Sequence, residues 1–296
     1  MDKSRLIKFS GKTTEALAKT ITEHKGVGYI LDLDIDLYHK GPGISSSGLK
    51  HIMHCPRKYK YKLTEPQEKT DAMWIGNGVH CLVLEPHKFD DQYVLWKKQD
   101  KRTTEGKAAW AKFCKTHAGK KIFEQDDWDM ITAIGQRMKA HKPFAKILSD
   151  GVKEVSFYAE ADGGALCRAR PDIYSPNTGV LTDIKTTQDV TEEAFAREVL
   201  NRNYHVQAAF HMDVIKTAGF HVSEFVFAAV EKEPPYEMAL YYLDKKIIEH
   251  GRTIYLKALR TYAECVATDK WPGIPEKILP LNFPSWFMTQ LERKEF

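Results

Sequence analysis

The residues with which this sequence could do chemistry are Asp172, Asp183 and Lys185. Asp172 stands in Arg170-Pro171-Asp172, and the other two in Thr182-Asp183-Ile184-Lys185-Thr186-Thr187. Residues two apart on an extended strand project from one face, so Asp183 and Lys185 point the same way. Between Asp172 and Asp183 there is room for a turn and a return strand, and two hairpin-linked strands can bring two carboxylates and an ammonium together. Phosphodiester hydrolysis uses such a set. Hard carboxylate oxygens hold Mg²⁺, and the ion acidifies water and offsets charge building on the phosphate. Lys185 can orient the attacking water or stabilise that charge as a cation. Service as a base would need a depressed pKa.

An acid-x-Lys triplet alone is uninformative, for it recurs in Glu23-His24-Lys25, Glu105-Gly106-Lys107, Asp244-Lys245-Lys246 and Glu292-Arg293-Lys294. What separates 182–187 is its context of a strand, an upstream Pro-Asp and a following helix. The pattern predicts a strand over Glu154–Ala161, a turn at Asp162-Gly163-Gly164, and a return strand from Ala165 to Asp172. Ser175-Pro176-Asn177-Thr178-Gly179 reads as the next turn and Val180–Lys185 as the third strand. Asp189 with Glu192 resembles a capping box for a helix over 190–201. A further helix over His205–Ala218 ends at Gly219, strands follow near 222–230 and 236–243, and a long helix covers 245–267. The amino-terminal half reads as helical, over 13–25, from Ser45 or Ser46 to His54, and over 74–84, 105–118 and 126–141. Within it, Leu31-Asp32-Leu33-Asp34-Ile35-Asp36-Leu37 alternates as a strand would, with three carboxylates on one face, either a cation site or a solvated edge. The whole is a mixed α/β domain, divided as an N-terminal segment 1–43, a central domain 44–270 and a C-terminal packing tail 271–296.

A chain of 296 residues suits one elaborated domain or two closely joined ones. Five cysteines at 55, 81, 114, 167 and 265, with no CxxC pair, exclude a disulfide framework and argue against structural zinc or iron–sulfur. They fit a reducing cytoplasm, as does a start without a secretory leader, and no apolar run is long enough to span a membrane. The net charge of +4 is small, but its distribution is uneven. Residues 50–70 carry net +4 and residues 97–121 net +7, the latter including Arg102 and Lys107. Such blocks could attract a polyanion or be solvated surface. Arg57-Lys58-Tyr59-Lys60-Tyr61-Lys62 interleaves cations with aromatics, which suits gripping a DNA strand or a helix whose tyrosines pack inward. No GxSxG, Walker A loop or HExxH occurs.

Five ordered motifs resemble the PD-(D/E)XK nucleases, and more closely the RecE-type exonucleases (exonuclease VIII). They are Tyr38-His39 with Pro42-Gly43-Ile44-Ser45-Ser46-Ser47-Gly48-Leu49, then Gly76-Asn77-Gly78-Val79-His80 through Pro86, then Cys167-Arg168-Ala169-Arg170-Pro171-Asp172, then Asp183-Ile184-Lys185-Thr186-Thr187, and last Tyr204-His205-Val206-Gln207-Ala208-Ala209-Phe210. The resemblance implies a restriction-endonuclease-like core, a mixed central sheet flanked by helices, with helical N-terminal elaborations. It implies a metal held by His80, Asp172, Asp183 and the Ile184 carbonyl, with Gln207 beside Lys185 or the scissile phosphate. Glu154 could hold a second metal or a metal water, or face solvent. Arg168 and Arg170 could meet phosphates, or form salt bridges.

The expected activity is a Mg²⁺-dependent exonuclease, with Mn²⁺ able to substitute, acting on the ends of linear duplex DNA. By the same resemblance it digests 5′ to 3′, leaves a 3′ single-stranded tail, works with a single-strand annealing protein and forms a homo-oligomer, as a ring. A structure-specific endonuclease or flap nuclease with the same centre, or a catalytically silent DNA-binding module, would fit the motifs as alternatives.

Overall fold

The computed structural model describes residues 1–65, 69–97, 102–161, 163–283 and 288–289. Within them lie twelve α-helices and ten strands in chain order. The strands are β1 (Gly28–Ile30), β2 (Tyr93–Leu95), β3 (Lys121–Phe123), β4 (Val152–Lys153), β5 (Ser156–Glu160), β6 (Leu166–Ala169), β7 (Ile173–Ser175), β8 (Val180–Thr187), β9 (Glu224–Glu231) and β10 (Met238–Tyr242). The first six helices are α1 (Thr14–Glu23), α2 (Ile35–Lys40), α3 (Ser46–His54), α4 (Pro56–Thr64), α5 (Asp71–Leu84) and α6 (Pro86–Gln92). The rest are α7 (Thr104–Thr116), α8 (Gln125–Ala140), α9 (Lys142–Asp150), α10 (Glu192–Asn201), α11 (Tyr204–Thr217) and α12 (Lys245–Thr268).

The central sheet has the order β10-β9-β8-β7-β4, and β8 with β9 is its parallel pair, joined through α10 and α11. β8 and β9 carry apolar side chains on both faces, as a strand between two helical layers must. One face packs Leu181, Phe225 and Phe227 against Phe195 of α10, Val206 and Phe210 of α11 and Tyr255 of α12. The other packs Ile173, Ile184, Ala228 and Val230 against Val79 and Val83 of α5, Ile131 and Ile134 of α8 and Phe144 of α9. This mixed sheet between helices is a PD-(D/E)XK core.

A second sheet, β1-β5-β6, continues the first across a bend. Its hairpin β5–β6 and the pair β4–β7 lie on the same two stretches of chain, which change sheets at Glu154 and at Arg170-Pro171-Asp172. The long strands expected over 154–161 and 165–172 are therefore each broken. Pro171 cannot donate to a ladder and ends β6 at Ala169. Glu154 answers it with a left-handed φ of 53° and donates its N–H to the Asp172 carbonyl at 3.0 Å. Asp172 thus leads into β7 rather than ending the strand before it.

Other differences have local causes. Residues 31–37 form no strand, because Asp34 accepts from the backbone N–H groups of Asp36 and Leu37, both at 3.0 Å, and caps α2. The three aspartates consequently share no strand face. Thr191, not Asp189, is the N-cap of α10, and no side chain there makes a capping bond. Asp189 instead accepts from the Thr191 N–H at 2.7 Å in the preceding turn. Arg57 to Lys62 lie on α4, where Tyr59 is buried against Tyr262 and Trp271 while Tyr61 is exposed. Of the tail, Trp271 packs on α4 and Gly273 lies under the Arg57 guanidinium, and Ile278 and Leu281 beyond are exposed. Among the described residues no helix is long and apolar enough to cross a membrane.

The core also holds a titratable group. His211 of α11 is buried, and its Nδ1 has no hydrogen-bond partner. Burial, with the Lys185 and Lys50 ammonium groups, presses its pKa from 6.5 down to about 3. Below pH 6.5 the unfolded chain takes up a proton that the folded chain refuses, so stability is complete above that pH and declines below it. The expected loss is about 1.4 kcal/mol per pH unit, or ~2 kcal/mol by pH 5. Urea unfolding at pH 7 and pH 5 checks it, and the loss should shrink in His211→Gln.

Candidate active site

The site forms where β7 stops short of the end of β8. β7 pairs with β8 from Ile173 opposite Thr182 to Ser175 opposite Val180. Beyond Thr182 the β7 side of β8 has no strand partner, because the chain has turned away at Pro171. The backbone of Ile184 is satisfied by side chains instead. Its N–H donates to Asp172 Oδ2 at 2.6 Å, and its carbonyl lies 3.1 Å from His80 Nε2. His80 arrives from α5, which rests on the sheet through Val79 and Val83, and its Nδ1 lies 3.4 Å from Asp172 Oδ2. One atom each of His80, Glu154 and Asp172 lie within 4.8 Å of one another. Three stretches of chain, a helix and the two arms of a bent hairpin, thereby aim donors at one point.

Asp183 and Lys185 project from β8 toward α11. Their side chains form a contact ion pair. Gln207 of α11 bridges them, its Nε2 donating to Asp183 Oδ1 at 2.6 Å and its Oε1 accepting from Lys185 Nζ at 3.4 Å. The start of α11 is set by Asn203, whose left-handed φ of 55° turns the chain into the helix. Tyr204, the next residue, lays its ring 4.6 Å from Lys185 Nζ.

Electrostatics separates the two aspartates. Burial raises the pKa of Asp172, but His80, Lys185 and the Ile184 N–H outweigh it and hold the carboxyl below its usual range. Asp183 ends up raised, because burial costs its charge more than Lys185 returns. Its Oδ2 is buried, and beyond the Lys185 ion pair it has no hydrogen-bond partner. Glu154 is pushed up to about 7 by burial and Asp172, against the pull of Arg170. Burial opposes charge on His80, yet Asp172, Asp183 and Glu154 lift it to about 9. Burial likewise opposes charge on Lys185, and Asp183 and Asp172 prevail, holding its pKa above the ordinary lysine value.

These features fit a divalent cation. Three buried or half-buried carboxylates converge, Asp183 keeps an oxygen whose sole partner is Lys185, and the donors are hard oxygens with one imidazole.

Of the residues expected at the site, Asp172, Asp183, Lys185, His80, Ile184, Glu154 and Gln207 are brought together. Arg168 and Arg170 are not available to DNA. Arg168 donates to the carbonyls of Gly41, Pro42 at 3.0 Å and His39 at 2.8 Å. Arg170 pairs with Glu154 at 2.7 Å and donates to the Leu33 carbonyl at 2.9 Å. Both are buried and fasten the N-terminal segment to the hairpin. Alternation had left them phosphate or salt-bridge options, and it could not show that a segment 130 residues upstream would bring carbonyls without donors. Lys60 is engaged with Asp269 at 3.2 Å and lies over the Trp271 ring. Arg57 and Lys58 on α4 are exposed, as are Arg102 and Lys107 near the start of α7. Lys98 and Lys101 of the second basic block lie outside the described residues. Tyr204 and Lys50, whose Nζ lies 5.3 Å from the Tyr204 ring, carried no role in the sequence reading. Tyr204 stands three before Gln207, a helical spacing that could have indicated it.

No curated protein matches the chain. Among solved structures, a protein from Eubacterium rectale described as a candidate exonuclease superposes with a TM-score of 0.60 at 17% identity, covering 88% of this chain and 98% of its own. A phage-related exonuclease from Haemophilus somnus aligns at a TM-score of 0.33 and 13% identity, over 77% of this chain and 96% of its own. The PDDEXK-like domain of unknown function (DUF3799) matches residues 45–280, most of the chain, and the protein belongs to that family.

Proposed function

We propose that this protein is a divalent-metal-dependent exodeoxyribonuclease of the RecE type, acting on the ends of linear duplex DNA. One observation carries the reading: the Asp183–Lys185–Gln207 network adjoins the His80–Glu154–Asp172 cluster through the single residue Ile184. His80, Asp172, Asp183 and the Ile184 carbonyl would hold Mg²⁺, or Mn²⁺ in its place, with Glu154 on a second ion or a coordinated water. When bound, such a cation acidifies water and offsets charge on a phosphate. Asp183 and Gln207 hold the Lys185 ammonium in place. There it can hydrogen-bond the attacking water and neutralise negative charge as the P–O bond breaks.

The motifs shared with RecE-type enzymes support the finer parts of the proposal. These are digestion from the 5′ end, a 3′ single-stranded product, a single-strand annealing protein as partner, a ring-like homo-oligomer and a cytoplasmic setting. The description of the Eubacterium rectale protein agrees with an exonuclease.

The test is incubation with end-labelled linear duplex and with covalently closed circular duplex, each with Mg²⁺ or EDTA. Mg²⁺-dependent release of nucleotides from the linear DNA alone, lost in EDTA, is the expected result. Label leaving first from 5′ ends fixes the polarity. Cutting of the closed circle would make the protein an endonuclease. Binding without cleavage would make it a silent module.

A further inference from the structure

α3 lies with Leu49 and Ile52 buried, packed against α11 and α12, and Ser45 caps its first turn by accepting from the Gly48 N–H at 3.2 Å. That orientation brings Lys50 to the flank facing the start of α11. Its Nζ sits 5.3 Å from the centre of the Tyr204 ring, and Lys185 Nζ sits 4.6 Å from the same centre. Two ammonium groups thus share one aromatic platform beside the nuclease centre. They differ in their partners. Lys185 has Asp183 and Gln207. Lys50 is half-buried, and no ion pair joins it to a carboxylate among the described residues.

A lysine kept for structure pairs with an acid or extends its amine into water. Lys50 is half-buried with no such acid partner among the described residues, and burial together with Lys185 outweighs Asp183 and lowers its pKa to about 8. A cation–π contact is a weak attraction and does not account for seating one ammonium near another. An anion is missing from this arrangement, and the anion brought to such a centre is a nucleic-acid phosphate.

We propose that Lys50 is a second phosphate-contacting cation of the centre, meeting a non-bridging oxygen of the bound strand at or beside the scissile linkage. The proposal rests on the nuclease reading above. Lys185 serves the bond that breaks, while Lys50 fixes the strand so that this bond is presented. Tyr204 keeps the two cations apart and in register.

The experiment compares wild type, Lys50→Gln and Lys50→Arg on linear duplex. Cleavage is followed with Mg²⁺, and binding to DNA ends is followed with Ca²⁺ across a salt series. Lys50→Gln should lower kcat/KM by roughly 10- to 100-fold. It should also reduce the slope of log K against log salt by about one. Lys50→Arg, which keeps the charge, should recover most of both. A neutral methylphosphonate at the contacted linkage should slow wild type yet add little to Lys50→Gln, since both remove the same contact. Lys50→Gln cutting at the wild-type rate with an unchanged salt slope would overturn the proposal. So would a Lys50→Arg variant as slow as Lys50→Gln and lower in Tm, which would mark Lys50 as packing. If wild type itself shows no metal-dependent cleavage, the nuclease reading falls, and this proposal falls with it.

Discussion

Asp172→Asn is expected to reduce cleavage by roughly 10³-fold or more, about 4 kcal/mol of barrier, while the protein stays folded. The substitution keeps the shape of the side chain and an oxygen that can still accept from the Ile184 N–H, now 2.6 Å away. What it removes is charge. Asp172 is the carboxylate held below its usual range, and it faces His80 at 3.4 Å. It is the member of the cluster ionised most readily and so the strongest anchor for a divalent ion. Calorimetric titration with Mn²⁺ should show affinity falling at least as far as the 10- to 100-fold typical of losing an outer-shell partner. Metal-free stability should fall as well, because the folded state favours the Asp172 charge through His80, Lys185 and the Ile184 N–H. An unchanged Mn²⁺ affinity would remove Asp172 from the metal shell, and unchanged cleavage would remove it from the site.

The sequence made the helices and β8 legible because each has a strong local cause. Ser45 does cap α3, and Gly219, with a φ of 86°, does follow α11 where its pattern ends. The chemistry was legible for the same reason: Asp183 and Lys185 share a face of β8 whatever surrounds them. What stayed hidden depends on residues far apart in the chain. Nothing near Glu154 announces that it will bend the hairpin with a left-handed backbone, since the need arises from Pro171 on the facing arm. Arg168 and Arg170 read as phosphate contacts or salt bridges, and Arg170 does pair with Glu154, but the carbonyls of residues 33–42 that hold both lie far upstream. Leu31–Leu37 has strand periodicity, but among the described residues no strand pairs with it, and the Asp34 cap decides in favour of helix. Lys50 counted only as a charge, because its place beside Lys185 and the Tyr204 ring arises only in the fold. Periodicity reports which face is buried, and it does not report what the other face meets.

The second large effect belongs to Lys185. Lys185→Ala should lower cleavage by about 10²- to 10³-fold with metal affinity raised, whereas Asp172→Asn lowers both. The ammonium is not a metal ligand, so its loss leaves His80, Glu154 and Asp172 in place. It is, however, the sole partner of Asp183 Oδ2, and Gln207 loses a donor with it. Without metal, the variant should be destabilised, since a buried carboxylate stripped of its cation costs about 3–5 kcal/mol. With Mn²⁺ or Mg²⁺ added, much of that loss should return, because the divalent ion supplies the missing charge. Thermal unfolding with and without metal therefore gives a readout independent of catalysis, a larger metal-induced rise in Tm for Lys185→Ala than for wild type. Lys185→Arg tests the chemical role. The folded environment holds Lys185 charged, so a second permanent cation should preserve more cleavage than alanine does. Equal loss in both variants would mean that a neutral amine is required, and Lys185 would then be the base that takes the proton from water.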